Sequence, residues 1–187
     1  MPYRHPMPRA PKALPTIWPT KWLMTDERMG AGLWTAIRAL PRGSGVVFRH
    51  YRTEPAARRA IFAKLVPIAR RKGLLLMRAG PEIGTGEAGI HGDLQVRRPC
   101  LRSGAAHSRR EAVAAKRAGA TLLFVSPVFP TRSHPGAPAL GPSRAAAIGR
   151  GLGLTLIALG GMNARRFARL RGLGFHGWAA IDAWSRD

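Results

Sequence analysis

The sequence is short of cysteine, of acidic residues and of long apolar runs, and each shortage narrows what the chain can be. A single cysteine, Cys100, excludes an intrachain disulfide framework and a cysteine-based zinc site. It fits a reducing compartment, and a cytoplasmic location is expected. No apolar run reaches the roughly 18 residues that a membrane-spanning helix needs, so no membrane partner is expected. The opening MPYRHPMPRAPKALP has no apolar core of the kind a secretory signal carries. HExxH, a Walker lysine loop, GxSxG and a GxGxxG after the first apolar run are all missing, which removes the best-marked routes to metalloprotease, P-loop, serine-hydrolase and dinucleotide chemistry.

The acid shortage is the largest. Nine Asp and Glu stand against 31 Lys and Arg, a formal net charge of +22, and 26 of the cations are Arg. Such an excess draws anions. The arginines are spread along the chain, with no basic arm and no regular interleaving of aromatics, which argues against nucleic acid as the partner. Phosphorylated small molecules are the expected ligands. Nothing in the pattern points to an oligomeric state.

What is present reads as one α/β domain. At 187 residues with 45% apolar content, the chain can bury a single core. Residues 1–20 are expected to form an extended, basic, proline-rich leader, and residues 21–187 one domain. Eight short apolar runs follow: 21–26, 45–52, 73–79, 88–92, 100–108, 121–129, 154–161 and 177–184. Most are continuous rather than alternating, the pattern of strands covered on both faces. Helical patterns fill five gaps: 31–40, 53–73, 108–119, 142–150 and 163–171. The second opens with Thr53 as N-cap, ends at Gly73 and is expected to be kinked or interrupted at Pro67. The third has a capping box of Ser108 and Glu111. The gaps at 80–87 and 93–99 are too short or too glycine-rich for a full helix. The expectation is a (β/α)₈ TIM barrel with some shortened or missing helices.

In such a barrel the site lies at the C-terminal ends of the strands. The stiff polar loop SPVFPTRSHPGAPALG (126–141) leaves the sixth strand there, with Thr131 and Ser133 as hydroxyl donors and His134 as a source of proton or charge. The seventh strand ends in ALGGMN, where Gly160 and Gly161 leave room for an anion and Asn163 starts a helix. On the second strand, alternation puts Arg49 and Arg52 on opposite sides, and an inward arginine suits a diphosphate. His91 and His107, ending the fourth and fifth strands, could reach the mouth.

These residues resemble a family. VSPVFPTRSHPGAPALG followed by LIALGGMN is similar to thiamine phosphate synthase and its thiazole tautomerase relatives. WLMTD, VVFR, GIH and GAAHSRREAVAAKRAGATLLF support the match. The resemblance spans about residues 21–184 and is dense from 104 to 162. It implies a (β/α)₈ barrel that joins hydroxymethylpyrimidine diphosphate to thiazole phosphate, with Mg²⁺, and releases diphosphate. It implies catalytic roles for Arg49, Ser108 and His134, with Arg52, Thr131, Ser133, Gly160 and Gly161 holding substrate phosphates. The sequence also departs from the pattern. Tyr51 stands where the family has a lysine, and Arg78 and Ala79 lie where it has Asn–Asp. Asp93 follows GIHG too closely for the expected metal ligand. His134 replaces a loop lysine, and Asp182 stands where a serine is usual. Pro127 occupies the histidine position of the tautomerase branch. The metal ligands are thus left unassigned.

Overall fold

The structure, a computed structural model, describes residues 18–82, 84–92, 100–131, 136 and 138–184. Eight parallel strands close on themselves in chain order: β1 (Lys21–Met24), β2 (Gly45–Phe48), β3 (Leu75–Ala79), β4 (Gly89–His91), β5 (Leu101–Ala106), β6 (Leu122–Val125), β7 (Thr155–Ala158) and β8 (Gly177–Ala180). β8 pairs with β1 through the register Lys21↔Trp178 and Leu23↔Ala180, which completes the barrel. The helices are α1 (Gly32–Ala39), α2 (Pro55–Lys72), α3 (Arg109–Arg117), α4 (Pro142–Gly149) and α5 (Ala164–Ala168). This is a (β/α)₈ TIM barrel with few helices. Among the described residues of the 80–88 connection there is none, as the glycines of GPEIGTGE predict. The 93–99 connection lies outside the described residues.

The continuous apolar runs are explained by two layers. Alternate residues point inward: Trp22, Met24, Val47, Met77, Phe124, Ile157 and Ala179 fill the barrel. Trp22 and Phe124 meet edge to face at 5.3 Å between centroids. Their neighbours point outward, where Leu23, Phe48 and Leu76 pack under α1 and α2, and Leu123, Val125 and Leu156 pack under α3 and α4. Each such fully buried large apolar side chain stabilises the fold by about 1.5–3 kcal/mol.

Four local expectations are corrected. α2 is capped by Glu54 rather than Thr53, because its carboxylate accepts the Ala56 and Ala57 N–H groups at 2.8 and 3.0 Å. α2 also runs unbroken through Pro67. Phe62, Leu65, Val66 and Ala69 anchor it to the barrel on both sides of the proline, and Pro67 itself faces outward, where helix curvature opens the backbone. α5 has only five residues and gives way to turns at Arg169. Residues 18–20, read as leader, are tied to the barrel: Thr20 O accepts the Trp178 N–H at 2.8 Å, and His176 Nε2 donates to Trp18 O at 2.7 Å. Residues 1–17 lie outside the described residues. No helix among the described residues is long and apolar enough to cross a membrane.

Candidate active site

Among the described residues, two cavities open at the C-terminal mouth. The first, about 500 Å³, sits at the corner where β1 and β2 end. Thr25, fully buried, organises it. Its Oγ1 accepts the Arg49 backbone N–H at 3.0 Å and lies 3.0 Å from His50 Nδ1. Its carbonyl accepts Arg49 Nε at 2.9 Å. Asp26 then takes Arg28 through both oxygens at 2.7 and 3.0 Å and Arg49 Nη2 at 3.3 Å. The Arg28 hydrogen bonds hold Asp26 down to about 2, so it is ionised throughout the physiological range. Burial pulls the Arg49 guanidinium down, and the Asp26 charge opposes that pull.

The expectation that Arg49 and Arg52 face opposite ways fails here. β2 ends at Phe48, and His50 has φ +22°, a left-handed backbone that non-glycine residues rarely adopt. Strand alternation therefore stops. Arg49, Tyr51 and Arg52 all line the same cavity. The Arg52 N–H donates to Glu27 Oε1 at 2.6 Å. His50 is buried and stacks on Phe48 at 4.6 Å, and burial lowers its pKa.

The second cavity, about 380 Å³, opens between the loops after β6, β7 and β8. Thr131, Gly160, Gly161, Asn163, Arg166 and Asp182 line it. The start of the proline-rich loop lies along the β7 exit: Val128 N–H donates to Leu159 O at 2.9 Å and Phe129 N–H to Gly160 O at 3.1 Å. This contact explains the paired glycines. A Cβ on Gly160 would stand 2.7 Å from Pro127 Cα, and one on Gly161 2.4 Å from Pro130 O, while both residues have φ above +60°. Arg166 donates to Gly161 O and lies 5.1 Å over the Phe129 ring. Asn163 caps α5 by accepting the Arg166 N–H at 2.8 Å. A helix this short contributes little dipole, so any anion here meets Thr131, the loop backbone and Arg166 instead. Asp182 lines the same cavity, and its charge reaches Arg28 across the mouth.

His91 lies under the mouth. It is buried, its Nδ1 is 2.9 Å from Ser103 Oγ, and its ring meets Phe124 edge to face at 5.3 Å. Burial, and secondarily the Arg49 charge, lowers it to about 4, so the floor is neutral. His107 and Ser108 line neither cavity. Both engage Glu111: the Ser108 hydroxyl donates to Oε1 at 2.9 Å and accepts the Glu111 N–H at 3.3 Å, and His107 bonds Oε2. Ser108 therefore serves as the N-cap of α3, as its capping box predicts, and its hydroxyl is engaged there. Ser133 and His134 lie outside the described residues.

Sequence reasoning missed the Thr25–Asp26–Arg28 group and Arg166. WLMTD stood out only as a strand, and the pairing of Thr25 with residues 24 and 25 positions later in the chain leaves no local signal. Arg166 had one: an arginine in the first turn after GGMN.

The Mg²⁺ implied by the resemblance does not fit this donor set. Mg²⁺ wants carboxylate and water oxygens in near-octahedral array. Among the described residues no three of His, Cys, Asp and Glu come together. Asp26 is committed to two guanidiniums and Glu27 accepts from Arg52. Beyond β3, where the family places Asn–Asp, Arg78 bonds Gly80 O and Glu87, and Arg58 bonds Ala79 O and Pro81 O. Asp93 lies outside the described residues.

A closed eight-stranded parallel barrel with two polar cavities at its strand C-termini defines a (β/α)₈ barrel of the kind that places ligands at that face. Within that class the resemblance read from the sequence finds support over the C-terminal part of the chain, which is similar to thiamine phosphate synthases. The model of the family described as thiamine monophosphate synthase matches residues 101–184, the segment that builds the second cavity. Among solved structures, a thiamine phosphate pyrophosphorylase from Pyrococcus furiosus superposes with a TM-score of 0.77 at 19% identity, covering 90% of this chain and 88% of that one. The citrate synthase SbnG (TM-score 0.56, 10% identity, covering 88% and 87%) shares the fold. So does an HpcH/HpaI aldolase from Desulfitobacterium hafniense DCB-2 (0.53, 9%, covering 88% and 86%). At these identities the likeness establishes fold alone. No curated protein matches by sequence.

Proposed function

We propose that the chain is a thiamine phosphate synthase-type transferase that couples hydroxymethylpyrimidine diphosphate to thiazole phosphate. The observation that carries this reading is the placement of two separate polar cavities on one mouth, one of them built by the segment that matches the family. The second cavity seats the thiazole phosphate on Thr131, the Gly160–Gly161 backbone and Arg166. The first seats the diphosphate against Arg49, with Arg52 at the rim. The methylene C–O bond breaks and its electron pair leaves with the diphosphate. The resulting pyrimidine-methyl cation is captured by the lone pair of the thiazole nitrogen, forming the new C–N bond and a thiazolium product. Fixed guanidiniums favour the departing anion, and the two seats bring the rings together. The neutral, buried His91 floor supplies no competing charge beneath the reacting centre.

Two observations favour a second reading. Asp182 places a carboxylate in the cavity proposed for phosphate, and Tyr51 stands where the family has lysine. A relative that binds or converts another phosphorylated heterocycle, with little synthase activity, accommodates both. The two readings separate on incubating the protein with both thiamine precursors. The transferase reading expects thiamine phosphate, and about tenfold or more weaker turnover in Thr131→Val through a lost hydrogen bond to a charged group. Thiazole phosphate binding with no product would leave the second.

A further inference from the structure

At the β1–β2 corner Asp26 is spent on two guanidiniums and Glu27 on the Arg52 backbone N–H, and this disagreement with a Mg²⁺ site points to how the anion is held. Three guanidinium side chains, those of Arg28, Arg49 and Arg52, line the β1–β2 cavity against two carboxylates, Asp26 and Glu27. One carboxylate, Asp26, is shared between Arg28 and Arg49. Arg49 is largely withdrawn from water, with its side chain 22% exposed, yet its share of Asp26 is the longer contact at 3.3 Å. Its backbone N–H, Nε and neighbour His50 are all fixed through Thr25. The ordering cost of this cation is therefore met before any ligand arrives. A planar guanidinium presents paired donors that match phosphoryl oxygens. We propose that Arg28, Arg49 and Arg52 receive the diphosphate end of the ligand directly, in the place a divalent cation would otherwise take, with Thr25 and His50 as positioning residues for Arg49. The identity of the whole ligand rests on the transferase reading, but the anion site stands apart from it.

Inorganic diphosphate titrated calorimetrically into the full chain tests this, once in EDTA and once in excess Mg²⁺. The expected result is saturable binding in EDTA that Mg²⁺ does not tighten. Arg49→Met weakens it about tenfold or more, and Arg49→Lys recovers only part, because an ammonium cannot form the fork. Arg59→Gln, on the exposed face of α2, leaves it unchanged. If Arg49→Met fails to fold, as read by thermal unfolding, Arg52→Gln at the exposed rim decides, with severalfold weaker binding expected. Binding that requires Mg²⁺, or that Arg59→Gln weakens as much as Arg49→Met or Arg52→Gln, would overturn the proposal. Diphosphate binding without thiamine phosphate formation keeps this site and removes the transferase reading. Product formed strictly with Mg²⁺ does the reverse.

Discussion

At the scale of single residues, the chemistry of the mouth depends on groups whose partners are far away in sequence. Arg49 was legible as a candidate, since an arginine ending an apolar run invites that reading. Its orientation was not, because it depends on Thr25, on Asp26 and on the left-handed backbone of His50. His91 gives a prediction at this scale. It is neutral in the folded protein to about pH 4, whereas in the unfolded chain it takes a proton near its ordinary value of 6.5. Between those values the unfolded state binds more protons, so stability is retained above about pH 6.5 and is lost as pH falls toward 4. The loss reaches at most on the order of 3 kcal/mol. Thermal unfolding across that range should show a shallower slope for His91→Gln than for the wild type. An equal slope in both would mean that His91 is not held neutral.

At the scale of elements, the loop after β6 and the glycines after β7 form one unit. The loop prolines and the glycine pair were each visible in the sequence, but read separately as stiffness and as room for an anion. Their mutual packing appears only once β6 and β7 are neighbours. Gly161→Ala would drive its Cβ into the Pro130 carbonyl at a positive φ. It should cost about 1–3 kcal/mol and weaken thiazole phosphate binding as the loop shifts. Denaturant unfolding together with calorimetry checks both, and a variant as stable as the wild type would show that the glycines serve ligand access alone. α2 offers the opposite case. Pro67 interrupts its hydrogen bonding without interrupting the helix, because packing on either side holds it. Pro67→Ala should therefore raise stability by about 1–3 kcal/mol in a denaturant titration. No gain would mean that the proline restricts the unfolded chain by as much as it costs the helix.

At the scale of the whole molecule, the barrel was the most legible feature. Continuous apolar runs at strand length, separated by capped helical patterns, leave few other ways to bury both faces of eight strands. That the described residues of 80–88 form no helix was legible in the glycines of GPEIGTGE. The distribution of charge was less so. A net charge of +22 on 187 residues repels itself, and several of the described carboxylates are drawn into caps and arginine pairs, among them Asp26, Glu54 and Glu111. Added salt should screen that repulsion and raise the melting temperature from low ionic strength upward. A melting temperature that falls with salt would mean that the specific pairs outweigh the net repulsion.

The central claim is that two anionic ends of the reacting pair occupy opposite sides of one mouth. A crystal structure of the protein soaked with thiamine phosphate and diphosphate tests it most directly. The account predicts the ester phosphate against Thr131, Gly160 and Gly161, and the diphosphate on Arg28, Arg49 and Arg52. Both anions in the same cavity, or the diphosphate bound away from Arg49, would contradict it.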